Sequence, residues 1–378
     1  MRIIIILSFL LFFVSCNSDK KELTVKKSSI ESFSRTSVKY AKGFTIKQFK
    51  EYKIITINNA WKGDAKSYQY VLYATEKPKN ILDAMFIKIP IKSIACMSLT
   101  HVAFLEKLGL ESSIVALSGC DYVSSFKIKN QIKNNTIKEI GQEQNFNYEM
   151  LVEKSPDFVM AYGINSASNG FLNKMKELGL NVVLNSEYME THPLGKAEWI
   201  KFMAAFYDED EKANEIFNQI EKEYLSLLAL TEKIEAKPTV FTGMPWSGSW
   251  YIPGAKSFQA QLFKDAGAKY LWLDNNEQGS LVKSKEIIID EAYEADFWLN
   301  QNSYNSITSV TDFDAKFKGF TAVKEGQLYN NDNRLNDKNG NDYWESGVVN
   351  PHIVLKDLIE IFHPGLIAHE FHYYRKLE

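Results

Sequence analysis

The chain has 378 residues, 45% hydrophobic and 24% charged, an ordinary globular balance with enough length for two lobes that each bury a core. A formal net charge of −3 gives a nucleic-acid partner no electrostatic support. Arginine is confined to Arg2, Arg35, Arg334 and Arg375, so lysine supplies nearly all the positive charge. Arg334 draws notice as a planar fork suited to carboxylates.

The chain opens with Arg2 and an apolar run from Ile3 to Val14, which ends at Ser15-Cys16 and a charged tail. The run suits a signal h-region and falls short of the roughly 20 residues a spanning helix needs. The arrangement resembles a bacterial lipobox, with Phe13 where Leu is usual. It implies cleavage before Cys16 and a lipid on its thiol, which holds the rest of the chain at a membrane by burying methylenes at ~0.8 kcal/mol each. An ordinary secretory signal is the plain alternative. Residues 17–39, rich in Ser, Lys and Glu, read as a flexible tether. No later apolar run is long enough to cross a bilayer.

Residues 40–89 form a short β-rich extension, a small antiparallel element with FTIKQF, KIITINN and QYVLYA as strands and a turn at Lys62-Gly63-Asp64. From 90 the pattern alternates. IKSIACMS is a buried strand, HVAFLEKLGL a helix closed by Gly109, and SIVALSG a strand. MLVEKSPDFVMAYG runs from helix to strand, and FLNKMKELGL and NVVLNS repeat the unit, to give a first α/β lobe over 90–194. Residues 195–236 keep helical spacing from Trp199 to Leu227 around Asp208-Glu209-Asp210, as one long helix or two abutting ones. Alternation resumes over 237–378 with PTVFTG, SFQAQLFKDAGA, EIIIDEAYEADFWLN, QLYNN and a last helix in NPHIVLKDLIEIFHP. The expectation is an α/β protein of two Rossmann-like lobes joined by a long backbone helix, with a cleft between them.

The order of these phrases resembles the substrate-binding proteins of ABC importers for ferric siderophores, haem and cobalamin. IGQEQNFNYEMLVEKSPDFVMA carries the likeness best, with a glycine, an Asn-x-Glu helix start and Pro-Asp before an apolar strand. FKDAGAKY and SKEIIIDEAYEADFWL supply the matching units of the second lobe. The resemblance implies a binding protein and not an enzyme, a small-molecule metal chelate as cargo, an ABC permease as partner, and no resident cofactor or metal. It also implies that Glu149 and Glu286 dock the permease, since family members carry one surface glutamate per lobe for its arginines. A plain helix-start acid is the alternative for both.

Ligands of open α/β sheets sit beyond the carboxyl ends of strands. That rule selects His101 and Tyr122 in the first lobe. It also selects the stretch 244–258 with Trp246, Trp250 and Tyr251, and a further loop, 334–347, brings Arg334, Tyr343 and Trp344 together. Aromatic faces suit a large ligand. Cobalamin-binding members carry tryptophans just upstream of both docking glutamates. GQEQNFNYE and QGSLVKSKE have none, so a ferric siderophore is the default and cobalamin or haem the alternative.

Cys96 and Cys120 read as two buried thiols, with a disulfide as the other possibility. A divalent-metal receptor would need converging His and carboxylate ligands, yet His363, His369 and His372 crowd the tail. The Asn/Asp-rich loop 330–342 lacks the calcium-loop spacing. Ser247 and Ser249 lie among glycines without a nucleophile elbow, which speaks against a hydrolase. A monomer at the periplasmic face of a membrane is expected, and a structural surface lipoprotein is the third class of reading.

Overall fold

The structure is a computed structural model that describes residues 37–79, 81–142, 145–163 and 169–378. The signal segment, Cys16 and most of the tether therefore lie outside the described residues. Everything described falls in one compact unit, Ser32–Glu378.

The extension forms β1 (Phe44–Gln48), β2 (Tyr52–Asn58), β3 (Ser67–Tyr73) and β4 (Met85–Lys88), in that order across one sheet. β3 and β4 pair in parallel, so the sheet is mixed and not the purely antiparallel element expected. β2 shows the burial alternation of a half-buried strand.

The first lobe contains β5 (Ile94–Cys96), α1 (Leu99–Lys107), β6 (Ile114–Leu117), α2 (Phe126–Lys133), β7 (Lys138–Glu139), α3 (Tyr148–Lys154), β8 (Phe158–Ala161), α4 (Asn169–Glu177) and β9 (Val182–Leu184). The strands pair in parallel in the order β7-β6-β5-β8-β9, with β5 central and fully buried. Helices on both faces explain why these strands are apolar runs without alternation. α1 starts where the Ser98 hydroxyl accepts the Thr100 N–H, and it stops at Gly109, whose φ is +68°.

The connector is two helices, α5 (Pro193–Ala205) and α6 (Asp210–Thr231). Of the two forms the helical spacing allowed, the connector takes the second, a pair of abutting helices. The break has one local and one distant cause. Asp208 sits in the left-handed region at φ +59°, and Lys53 of β2, itself buried, pairs with both Asp208 and Asp210. α5 is buried almost all round, touching α1 on one side and α7 and α12 on the other. It also carries the extension. Glu198, fully buried, accepts the backbone N–H groups of Lys39, Tyr40 and Ala41. Phe44 packs on Trp199 and Phe202. The extension and the residues just before it are thus anchored on α5.

The second lobe runs through β10 (Thr239–Thr242), β11 (Pro245–Trp246), β12 (Ser249–Pro253), α7 (Phe258–Asp265), β13 (Lys269–Tyr270), β14 (Ser280–Ser284), α8 (Lys285–Glu291), β15 (Phe297–Leu299), α9 (Ile307–Phe313), α10 (Thr321–Lys324), β16 (Leu328–Asn330), α11 (Asp342–Glu345), α12 (Pro351–Phe362) and β17 (Arg375–Lys376). Its main sheet has the order β13-β10-β15-β16-β17, parallel except for the last strand. β11, β12 and β14 make a separate antiparallel sheet where a loop was expected. The tail folds back because fully buried Asp357 of α12 accepts the backbone N–H groups of His372, Tyr373 and Tyr374. Cys96 is buried as expected, Cys120 is only half-buried, and both are free thiols among the described residues.

Candidate ligand cleft

Two adjoining hollows separate the lobes and share Tyr188, Phe258 and Trp344 as walls. The outer one has a volume of about 1310 Å³. First-lobe residues Lys62 and Tyr188 to Glu190 face it from one side. From the other come the ends of β10, β15 and β16 and the β12–β14 sheet. The inner one, about 490 Å³, lies between the start of α1, the turn before α5, and α7, α11 and α12.

The aromatic residues of 244–258 divide by strand alternation. Trp246 and Tyr251 are exposed and line the outer hollow, while Trp250 points to the opposite face and is fully buried. Its indole Nε1 donates to the Thr242 carbonyl, and its ring lies 5.8 Å from that of Trp298. Trp250 is thus a core residue, a correction that follows from the two-residue period of β12. Trp344 is 57% exposed and reaches both hollows. Tyr343 lines the inner one edge-on to Trp344, with its hydroxyl pushed up to about 12 by burial.

Two further expectations are corrected. The Arg334 guanidinium is bound to Asp342 and does not line the cleft, because the start of α11 brings that carboxylate back to it. Tyr122 also lies off the cleft, in a turn pressed on the loop 336–340. There the Asn336 amide donates to the carbonyls of Asp121 and Val123. A Cβ on Gly340 would come within 2.1 Å of the Tyr122 carbonyl oxygen, so only glycine permits this approach of the lobes. Glu345 closes the same edge by accepting the Ser124 and Ser125 N–H groups, and its burial raises the carboxyl to about 7.

His101 is fully buried and lines the inner hollow, and neither ring nitrogen has a hydrogen-bond partner among the described residues. Burial holds it neutral, lowered to about 3. Glu187 and Lys196 face the same space. Burial raises the Glu187 carboxyl and lowers the Lys196 amine, and each opposes the other's shift through its charge. The Lys196 Nζ sits 4.1 Å from the centre of the Phe258 ring.

Sequence reasoning missed Glu187, Tyr188, Phe258 and Lys62. The first two follow β9 and were readable as one more strand end. Phe258 begins a helix whose apolar spacing suggested only core packing. Lys62 belongs to a turn that was recognised, but its place beside the cleft depends on how the extension packs.

Glu149 and Glu286 are exposed in the first turns of α3 and α8, behind the N-caps Asn147 and Ser284. Neither takes part in a salt bridge among the described residues. No group of His, Cys, Asp and Glu among the described residues is arranged to hold a metal ion.

The profile of the family described as "Periplasmic binding protein" matches residues 94–335, more than half of the chain. The chain belongs to the periplasmic binding protein family. Members are substrate-binding proteins that take small molecules and work with an ABC permease; they are not enzymes. This binding protein is 26% identical over 352 residues to a lipoprotein of Methanocaldococcus jannaschii, covering 86% of this chain and 82% of that one. Its fold matches a periplasmic haem-binding protein of Pseudomonas aeruginosa at a TM-score of 0.58 and 13% identity, over 76% of this chain and 98% of that one. It also matches an ABC-type Fe3+-hydroxamate transport protein of Saccharomonospora viridis at 0.56 and 17%, over 82% and 98%. No helix among the described residues is long and apolar enough to cross a membrane. The family match begins at residue 94, so the extension and its Lys62 lie outside it.

Proposed function

We propose that this binding protein captures an iron chelate of the ferric siderophore type in the inter-lobe cleft and delivers it to the permease of an ABC importer. It acts as a monomer held at the periplasmic face of a membrane by lipid on Cys16. The observation that carries the reading is the outer hollow. At about 1310 Å³ it exceeds the ~300–1,000 Å³ of ordinary small-molecule pockets, and exposed Trp246, Tyr251 and Trp344 stand on its walls. Aromatic residues left exposed in a groove suit a large ligand that covers them. The fold relatives named for haem binding and Fe3+-hydroxamate transport support cargo that carries a metal. A lipid keeps the receptor at high local concentration beside its transporter.

The test follows tryptophan fluorescence and melting temperature against ferric siderophores, haem, cobalamins and free metal ions. A hundredfold excess over Kd should add ~2.7 kcal/mol of stability. Quenching and a raised melting point with an iron chelate are expected. A response to haem or cobalamin alone would replace the iron-siderophore reading with the alternative cargo. Silence across the panel would overturn the metal-chelate reading.

A further inference from the structure

The outer hollow is unusual in which polar groups it presents. Carboxamides dominate it, and the side chains of Asn276, Gln278, Asn302, Asn305, Asn331 and Asn339 all line it. None of them makes a hydrogen bond to the protein among the described residues, so their donors and acceptors are left for a ligand. A primary amide offers both kinds of group and no charge.

Among the described residues, positive charge is scarce there. Neither described arginine is free to serve it, because Arg334 is bound to Asp342 and Arg375 holds Asp332 at 2.8 Å. Glu190 is occupied by the N–H groups of Lys42 and Gly43 and by the Trp199 indole. That leaves Lys62 and Glu277, one of each sign, in the outer hollow, and Lys196 facing Glu187 in the inner one. A polyanion entering this cleft would shed its hydration without gaining counter-charges.

We infer that the cargo is an uncharged metal complex rich in amide or hydroxyl groups, and that the cleft discriminates against polyanionic chelates of the same size. This inference rests on the metal-chelate reading and narrows it to one charge class. The aromatic faces cover the body of such a complex and the amides meet its polar rim. Selection then comes from the absence of cations as much as from contacts made.

The experiment titrates the full-length chain in detergent, read by tryptophan fluorescence, at low and high ionic strength. The probes are a ferric trihydroxamate of zero net charge, cobalamin as a second uncharged amide-rich complex, and a ferric tricatecholate trianion. At least one uncharged complex should bind about 100-fold or more tightly than the trianion, a gap of roughly 2.7 kcal/mol. Its affinity should change little with salt. The double variant Asn276→Lys, Asn305→Lys places two cations on exposed positions outside the left-handed backbone region. It should tighten the trianion about tenfold or more with the melting temperature unchanged. Equal or tighter binding of the trianion by the native chain, weakened by salt, would overturn the inference and leave the metal-chelate reading standing. Failure of all three complexes to bind would overturn this inference, and the metal-chelate reading falls with it only if haem is silent as well.

Discussion

His101 and Glu345 show how burial sets the behaviour of single side chains in this cleft. The unfolded His101 titrates near its ordinary 6.5 and the folded one near 3. The folded value is depressed, so its contribution to stability is whole above about 6.5 and is lost as pH falls towards 3. His352, lowered to about 4 mainly by burial, acts in the same direction. His101→Leu removes a ring whose nitrogens have no partner, so it should leave stability at neutral pH equal or higher and flatten the acid slope. Urea midpoints across that range check this, and a large loss at neutral pH would mean that the ring has a partner there. Glu345 works with the opposite sign. Its carboxyl is raised from 4.5 to about 7, so the stability it contributes is full below 4.5 and fades as pH rises through 7. Glu345→Gln keeps the acceptor for the Ser124 N–H and should abolish that alkaline fade. Melting temperatures on both sides of the range would show an unchanged slope if the idea is wrong.

At the scale of elements, β12 decides which aromatic residues belong to the core and which to the ligand. Trp250 and Tyr251 are neighbours in sequence and lie on opposite faces of one short strand. Trp250→Ala should cost ~3–5 kcal/mol of stability, as large-to-small changes of buried tryptophan do. Trp246→Ala and Tyr251→Ala should stay within about 0.5 kcal/mol and weaken ligand binding instead. Paired denaturation and titration curves separate the two outcomes, and a stable Trp250→Ala protein would refute the assignment. Most helices and main-sheet strands of both lobes were legible in the sequence, because apolar runs, helix-closing glycines and Ser or Asn caps are local signals. β11, β12 and β14 were not: β11 is a two-residue strand that turns straight back onto β12, too short to show alternation, and β12 pairs with β14 some thirty residues on, which nothing local in 276–284 announces. The connector was legible as helical but left open as one helix or two. The bond between Lys53 and the Asp208–Asp210 turn, across more than 150 residues, is what the split depends on.

For the whole molecule, two lobes share α5 as a buried wall and meet at a second edge through Glu345, Asn336 and Gly340. An assembly with contacts at both edges favours small rotations about its hinge over wide opening. Glu149 and Glu286 stand exposed on different lobes, and we propose that they dock the permease. Glu149→Arg and Glu286→Arg should each reduce uptake of the cargo about tenfold or more, with ligand affinity and melting temperature unchanged. Uptake assays on cells beside titrations on the purified variants test this. Uptake at the native level would reduce both residues to plain helix-start acids.

The amino-acid order by itself determined that the chain folds as two α/β lobes around a helical connector. It also put His101, Trp246 and Tyr251 near strand ends, where ligands bind in such sheets, and Tyr343 and Trp344 together in one segment after the last parallel strand. These follow from periodicity, capping and turn chemistry, which act over a few residues. The tertiary structure alone decided the rest. It turned Trp250 into the core, tied Arg334 to Asp342, pressed Tyr122 against Gly340, and brought Lys62 from the extension to a wall of carboxamides. Each of those outcomes depends on which distant side chain arrives opposite, and burial and charge pairing are properties of that arrangement.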